Sequence, residues 1–240
     1  LTLLNRQVFK NCLSLESIEL SENIRTIYYT AFENVPVEAI PDIPEGTEVI
    51  VESFDFISKG EADAVVPDCV TSMDYNSYFF YDTLTIGKNV REFIPLKFEL
   101  GCITDTKQKE IYVNEENPYF CAEDGVLYNK DKTEIVHIAY GHNFTDGIFM
   151  IPASVTKISC SLHCRKISSF EVEEGNTVFS SENGVLMSED KTSIIQYPAG
   201  SRESNYTIPN IVKKISSGSF YNSELDSLII PESVECIESG

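Results

Sequence analysis

The residues that could do chemistry in this chain are few and widely separated. Three histidines occur in 240 residues, and one lies in the segment Cys160-Ser-Leu-His163-Cys164. A structural zinc site needs four ligands at recognisable spacing, and no C-x-x-C pair accompanies this segment. His163 also takes a position at which other segments of the chain have phenylalanine. The segment therefore predicts packing at the end of a coil, and we expect neither a metal site nor a cofactor.

Side chains suited to catalysis are equally scattered. A nucleophilic Ser or Cys needs a positioned His and carboxylate, and no G-x-S-x-G motif is present. The twelve glycines form no phosphate-binding loop. The carboxylate pairs Glu115-Glu116 and Glu173-Glu174 take equivalent places after two predicted strands, which indicates solvated turns rather than the flanks of a glycosidase cleft. The sequence predicts that the chain is not an enzyme.

Acidic side chains dominate the charge. There are 38 Asp and Glu against 18 Lys and Arg, a formal net charge of −20. Binding to nucleic acid or to an anionic bilayer depends on clustered cations, so neither is an expected partner. No apolar run reaches the roughly 18 residues needed to span a bilayer, so we expect no membrane insertion. Hard oxygen ligands leave weak calcium binding open as an alternative, at Asp124, Asp131, Glu182 or Asp190.

An internal repeat organises the chain. Apolar residues after Leu15 fall at 18, 20, 24 and 27, the unit closes with Ala31-Phe32, and a second copy starts with the same offsets at Leu225. The second half of the unit recurs after Val66-Pro67, Ile86-Gly87, Ile151-Pro152 and Ile208-Pro209. L-x-x-I-x-I ends in the period-2 alternation of a strand with one buried face, and a following Pro ends the strand. The V-x-x-I segment is expected to return along the opposite wall and to cover the core from that side. Stacked units bury a continuous core that one unit cannot bury alone.

The repeat predicts a single solenoid domain over residues 1–240, truncated at both ends, with about nine strands. Two longer stretches, near 117–140 and 176–197, share G-V-L, a four-residue polar stretch and Thr. They predict β-hairpin insertions with tips at Asn129 to Lys132 and Ser188 to Lys191. The closing A-F or S-F predicts a short helical turn. The strands are expected to centre near Glu19, Asp42, Val65, Thr85, Tyr112, Met150, Glu171, Thr207 and Ile229.

Two motifs carry a family resemblance. The pattern L-x-x-I-x-I-P-x-x-V-x-x-I-x-x-x-A-F and the segment D-G-V-L-Y-N-K-D-K-T, from Asp124 to Thr133, resemble those of BspA-type leucine-rich-repeat proteins. The resemblance implies a leucine-rich-repeat solenoid, α/β by class, with mostly short parallel β-strands, short helical turns and β-hairpin insertions. It also implies an extracellular or cell-surface location and a role in adhesion or host matrix binding. It carries over no catalytic residue.

The central residue of each strand should point away from the core, and the resulting ladder is the expected concave ligand-binding surface. Its exposed apolar candidates are Tyr112, Met150 and Ile229. The expected function is a non-catalytic cell-surface or secreted module that binds a protein or glycan ligand, such as a host matrix component. The alternative is a structural spacer segment of a larger surface protein, for which the strand face would be evenly polar. The full set of candidate ligand-binding residues is Glu19, Thr85, Tyr112, Met150, Glu171, Thr207 and Ile229.

Three further features are open to interpretation. The seven cysteines are an odd number and predict mostly buried free thiols. Asn143-Phe-Thr145 and Asn205-Tyr-Thr207 match the N-glycosylation sequon, which has meaning only in a secreted eukaryotic chain. Exposed apolar edges on the terminal repeats predict that the isolated chain can dimerise.

Overall fold

The computed structural model describes residues 1–32, 34–36, 39–51, 63–74, 82–94 and 108–239. These residues form short β-strands of two to five residues and two short 3-10 helices, Tyr29–Phe32 and Thr145–Gly147. They divide into two compact units, Leu1–Lys130 and Asp131–Gly240. Each unit has its own buried apolar core.

The first unit contains two rows of parallel strands. One row is ordered β1-β2-β3-β5-β7, and the other is ordered β4-β6-β8. The first row comprises β1 (Leu3–Leu4), β2 (Thr26–Tyr28), β3 (Val49–Val51), β5 (Ser72–Asp74) and β7 (Glu92–Ile94). The second row comprises β4 (Asp63–Val65), β6 (Thr83–Ile86) and β8 (Glu110–Val113).

Hydrophobic alternation explains both rows of the first unit. In the second row Ala64, Leu84 and Ile111 are paired in register, and each is at most 3% exposed. In the first row Ile27, Ile50, Met73 and Phe93 are paired in register and are all buried. These last positions belong to the V-x-x-I half of the repeat, which was expected only to return along the opposite wall. That wall is itself a hydrogen-bonded sheet, because equal repeat lengths place equivalent residues next to each other.

A β-hairpin follows the second row. Strands β9 (Phe120–Glu123) and β10 (Val126–Asn129) are antiparallel, and Asp124-Gly125 connects them. Both connecting residues have positive φ, 47° and 72°, the backbone of a two-residue type I′ turn. This turn precedes the tip that the sequence predicts at 129–132, which begins at the end of β10.

The second unit repeats this organisation and also contains an inserted hairpin. The pair β12-β14 is parallel, as is the pair β18-β20, and β11 pairs with β13 in parallel. A further sheet is ordered β15-β16-β17-β19-β21, in which β15, β16 and β17 are antiparallel and the rest parallel. The strands are β11 (Glu134–Ile138), β12 (Ile148–Ile151), β13 (Lys157–Ile158), β14 (Ser169–Val172), β15 (Phe179–Glu182), β16 (Val185–Ser188), β17 (Ser193–Gln196), β18 (Asn205–Thr207), β19 (Lys214–Ile215), β20 (Ser227–Ile229) and β21 (Cys236–Ile237).

The leucine-rich-repeat solenoid is confirmed, but its α/β label and helical turns need correction. In the part of the chain that the structure describes, helix is limited to short 3-10 turns, of which Tyr29–Phe32 contains the predicted Ala31-Phe32. The predicted turn at Ser219-Phe220 is closed by backbone hydrogen bonds between residues three apart in sequence. In one of them the Tyr221 amide donates to the Gly218 carbonyl at 2.9 Å. Gly218 has a φ of 65°, which prevents the turn from growing into a helix. The predicted closing turns at 53–54, 77–78 and 97–98 lie outside the described residues.

Seven of the nine expected strand centres lie in strands, and Glu19 and Asp42 do not. Asp42 is flanked closely by Pro41 and Pro44, which have no backbone N–H to donate to a neighbouring strand. The segment around Glu19 nevertheless keeps the alternation of a strand, with Glu19 exposed between two half-buried apolar neighbours. In both segments the central residue points into solvent as expected, but the backbone does not pair with a neighbouring strand.

Candidate ligand-binding face

The outward face of β4, β6 and β8 carries a line of three residues in register. Val65 pairs with Thr85, and Thr85 pairs with Tyr112. Val65 is 62% exposed and Tyr112 is 53% exposed, while Thr85 between them is half-buried. Neighbouring strands lie about 4.8 Å apart, so about 10 Å separates the outer two residues. We name Val65, Thr85 and Tyr112 the apolar line.

A second line of polar residues runs beside it, two positions earlier on each strand. Asp63 pairs with Thr83, and Thr83 pairs with Glu110. The Thr83 hydroxyl donates a hydrogen bond to Asp63 Oδ1, at 2.5 Å, and so orients one carboxylate on the surface. The nearest basic side chain along the chain, Lys109, forms an ion pair with Asp82 at 3.1 Å. We name Asp63, Thr83 and Glu110 the acidic line.

The second unit brings four of the predicted site residues together as two separate pairs. Met150 lies beside Glu171 in one pair of strands, and Thr207 lies beside Ile229 in the other. Met150 and Ile229 are exposed, at 42% and 57%.

The turn of a hairpin lies beside the first of these pairs. The amide N–H of Phe170, on β14, donates to the carbonyl of Gly184 at 2.9 Å. A Cβ at position 184 would lie 2.8 Å from Ser169 Oγ, so glycine permits this close approach. The hairpin turn thus accepts a backbone hydrogen bond from β14 that a further parallel strand would otherwise accept. The row of outward-facing residues expected for this unit is therefore interrupted at β14.

Comparison with known proteins agrees with this repeat organisation. A family model described as the BspA type leucine rich repeat region matches six copies, over residues 1–93 and 199–240. These residues are more than half of the chain. The chain belongs to the BspA-type leucine-rich-repeat family. No curated protein matches it.

Solved structures are similar to this BspA-type chain in fold. A leucine-rich repeat protein from Eubacterium ventriosum is 20% identical with a TM-score of 0.50, over 75% of this chain and 50% of that one. The pneumococcal vaccine antigen PcpA is 20% identical with a TM-score of 0.37, over 93% and 47%. A leucine rich cell surface protein from Faecalibacterium prausnitzii is 21% identical with a TM-score of 0.37, over 99% and 54%. The BspA-type chain spans about half the length of these proteins.

Sequence reasoning missed part of the face of this BspA-type chain. Val65 was assigned to the ladder but left out of the candidate set, although it is the most exposed apolar residue of its row. Asp63 and Glu110 were not considered, although the period-2 alternation that selected Val65 and Tyr112 also places residues two positions earlier on the same face. Glu19 is exposed as expected but has no strand beside it.

The other residues singled out for chemistry in the BspA-type chain have structural roles. His163 is half-buried with its ring stacked on Tyr221, the ring centres 5.0 Å apart. Burial lowers the pKa of His163, and a hydrogen bond with the backbone of Gly218 partly opposes that shift. His163 therefore packs as the phenylalanine of other repeats does. In the described residues no three His, Cys, Asp or Glu side chains are grouped as a metal site.

Two of the carboxylates considered for calcium have partners within their own hairpin. Glu182 forms an ion pair with Lys191 at 2.8 Å. Asp190 Oδ1 accepts hydrogen bonds from the Ser188 hydroxyl at 2.7 Å and from the Thr192 amide at 3.0 Å. These bonds lower the pKa of Asp190. The two side chains brace the turn between β16 and β17, the predicted tip at 188–191.

The cysteines that the structure describes are all free thiols. Cys164 is buried, and desolvation raises its pKa to about 11; the same cause raises the pKa of Cys160 to about 12. Cys236, on β21, is exposed. No described helix has the length and apolar character needed to cross a membrane.

Proposed function

We propose that this chain is a non-catalytic recognition module of an extracellular or cell-surface protein, and that it binds a protein or glycan ligand on the outward face of its strands. The observation that carries the proposal is the apolar line, in which Val65 and Tyr112 are exposed on either side of Thr85 in three strands paired in register. Family membership supports a role in binding, since solenoid repeats present extended surfaces to partners.

The apolar line favours a binding module over a spacer. A spacer has no need of exposed large apolar side chains in register, whereas interfaces are enriched in aromatic anchors. Complete burial of a side chain such as Val65 contributes about 1.5–3 kcal/mol through the hydrophobic effect. The inward residues Ala64, Leu84 and Ile111 fix the strands, so little ordering of the backbone opposes this gain on binding.

Solid-phase binding of the chain to a panel of host matrix proteins and mucins tests the proposal. The face variant combines Val65→Ser with Tyr112→Ser. The matched control is Tyr119→Ser, because Tyr119 is a tyrosine of the same unit that is 46% exposed outside the strand row. We expect at least a tenfold loss of binding for the face variant alone, with unchanged circular dichroism. Equal binding by all three proteins refutes the proposed face, and no binding to any panel member favours the spacer.

The two pairs of the second unit are proposed as further contacts of the same kind. Met150→Ser and Ile229→Ser test the exposed apolar member of each pair, Met150 beside Glu171 and Ile229 beside Thr207. A ligand of the second unit loses affinity in these variants. A ligand confined to the first unit is unaffected by them.

A further inference from the structure

The geometry points to a basic protein segment as the ligand of the first unit, with a Lys or Arg side chain seated across the apolar line. This inference rests on the proposed function and specifies the partner of the same face. It is carried by three observations: the shape of the apolar line, the charge of the acidic line, and their distance from each other.

The apolar line forms a shallow saddle. Thr85 is smaller than either neighbour and is half-buried, while Val65 and Tyr112 are exposed on each side of it. The separation of about 10 Å between the outer strands accommodates one methylene chain in contact with both. Lys and Arg have such a chain, and they pack it on apolar surface while the charged end remains near polar groups.

The tyrosine ring adds a specific attraction for a cation. A guanidinium or ammonium group within about 6 Å of an aromatic ring centre is stabilised by the ring's electrostatic field. The same unit already contains such a pair, since the guanidinium carbon of Arg6 lies 5.1 Å from the ring centre of Tyr28. Tyr112 presents the same kind of ring on the strand face with 53% of the residue exposed.

The acidic line supplies the charge that a cation needs. Residues two apart on a strand are about 6.6 Å apart, so Asp63 and Glu110 lie within reach of the end of a side chain that crosses the apolar line. Planar guanidinium groups pair with carboxylates through two hydrogen bonds, which adds orientation to the attraction. The net charge of −20 draws a basic partner toward the chain during association. A neutral glycan could stack on Tyr112 and donate hydroxyl hydrogen bonds to these two carboxylates, but it has no positive charge to pair with them.

Fluorescence polarisation with a labelled twelve-residue peptide of alternating Arg and Ser tests this inference. Peptides with Gln or Glu in place of Arg are the control probes. We expect saturable binding of the Arg peptide only, weakened as salt rises from about 50 to 300 mM because surface charge is screened. Absence of binding by the Arg peptide, or equal binding by the Gln peptide, overturns the inference.

Variants separate a seated side chain from general attraction to an acidic protein. Tyr112→Ser and the double change Asp63→Asn with Glu110→Gln should each weaken binding at least tenfold, whereas Tyr112→Phe keeps the ring and should bind normally. The matched charge control is Glu115→Gln with Asp124→Asn, which removes two exposed carboxylates elsewhere in the same unit and should change affinity less than threefold. An equal loss in the charge control shows non-specific attraction and overturns the inference.

The two proposals fail in different ways. If the face variant (Val65→Ser with Tyr112→Ser) no longer binds a neutral glycan of the matrix panel and the Arg peptide never binds, the proposed function stands. The inference of a basic protein partner is then wrong. If the face variant binds both the panel ligand and the peptide as tightly as the wild type does, both proposals fail.

Discussion

Asn117 should contribute more to stability than any exposed asparagine near it. Its side chain is 1% exposed, and its Nδ2 donates to the carbonyls of Gly87 at 2.8 Å and Val90 at 3.0 Å. Its Oδ1 accepts from the amides of Tyr119 at 2.8 Å and Phe120 at 2.9 Å. One side chain thus joins the turn of the preceding coil to the start of the first hairpin. Asn117→Ala removes all four bonds and leaves buried partners unsatisfied.

The expected loss follows from these bonds. A net contribution of about 1 kcal/mol per hydrogen bond gives about 4 kcal/mol for Asn117→Ala. Asn114→Ala is the matched control, because Asn114 Oδ1 accepts a single bond, from the Glu116 amide at 2.9 Å in an exposed setting. That variant should lose about 1 kcal/mol or less. Asn117→Asp should resemble Asn117→Ala, because a carboxylate cannot donate to the two carbonyls.

Urea unfolding followed by far-ultraviolet circular dichroism measures the difference. Because repeat proteins can unfold in parts, hydrogen exchange of the hairpin amides at 120–129 should accompany the melts. We expect a large fall in midpoint and faster exchange in these amides for Asn117→Ala only. If Asn117→Ala and Asn114→Ala shift the midpoint equally, the four bonds do not have the contribution assigned to them.

Four further predictions concern the second unit and the isolated chain. Gly200→Ala places a Cβ 2.4 Å from the Arg165 carbonyl oxygen, and the resulting strain should cost about 2 kcal/mol in the free energy of unfolding, measured by urea melts; an unchanged midpoint contradicts it. Burial lowers the pKa of His137 to about 3, because the interior disfavours the charged imidazole. The stability that the neutral side chain contributes to the fold is therefore complete above the unfolded pKa of about 6.5 and is lost as pH falls toward 3. Wild type should therefore lose more stability between pH 7 and 5 than His137→Gln, and parallel pH profiles refute this. Alkylation mapped by mass spectrometry at pH 7.5 should label Cys236 before Cys164, whose pKa burial raises to about 11; equal rates would show that Cys164 is accessible. Sedimentation velocity should show a concentration-dependent dimer if the terminal repeats associate, and a single monomer at all concentrations excludes it.

The period of the hydrophobic pattern was enough to predict the strands and the outward face. Ala64, Leu84 and Ile111 are buried where the alternation places them, and this alone puts Val65 and Tyr112 in solvent. The second parallel sheet could not be predicted in the same way, because the two inward residues of V-x-x-I lie three positions apart and give no period-2 alternation. Its strands exist through backbone pairing between coils, which a single repeat copy does not encode.

The prediction of the two insertions missed one turn in each, and the residue types of those turns explain where they lie. Asp124-Gly125 and Asn183-Gly184 are dipeptides that favour type I′ turns, and all four residues have positive φ. They connect hairpins just before the polar stretches that the sequence predicts as the tips. In the second unit the polar stretch at 188–191 forms a further turn, and β15, β16 and β17 are successive antiparallel strands. A search for turn dipeptides before polar runs would have found the first turn in each case.

The two hairpins share a sequence signal with a physical cause. The amide N–H of Val70 closes the turn of a plain coil onto the Pro67 carbonyl at 3.1 Å, and that of Asn117 closes onto the Asn114 carbonyl at 2.9 Å. Asn117 therefore takes the position of a buried valine. Asn176 closes the equivalent turn at 3.2 Å before the second insertion.

The Asn176 side chain repeats the bonds that Asn117 makes. It donates to the carbonyls of Pro152 and Val155, each at 2.9 Å, and accepts from the amides of Val178 and Phe179. A valine at this position can only pack, whereas an asparagine also satisfies the preceding turn and directs the next residues into a hairpin. Asparagine at the valine position of a BspA-type repeat is thus a physical marker of an inserted hairpin. Its side chain donates hydrogen bonds to the carbonyls of the preceding turn and accepts them from the amides that begin the hairpin.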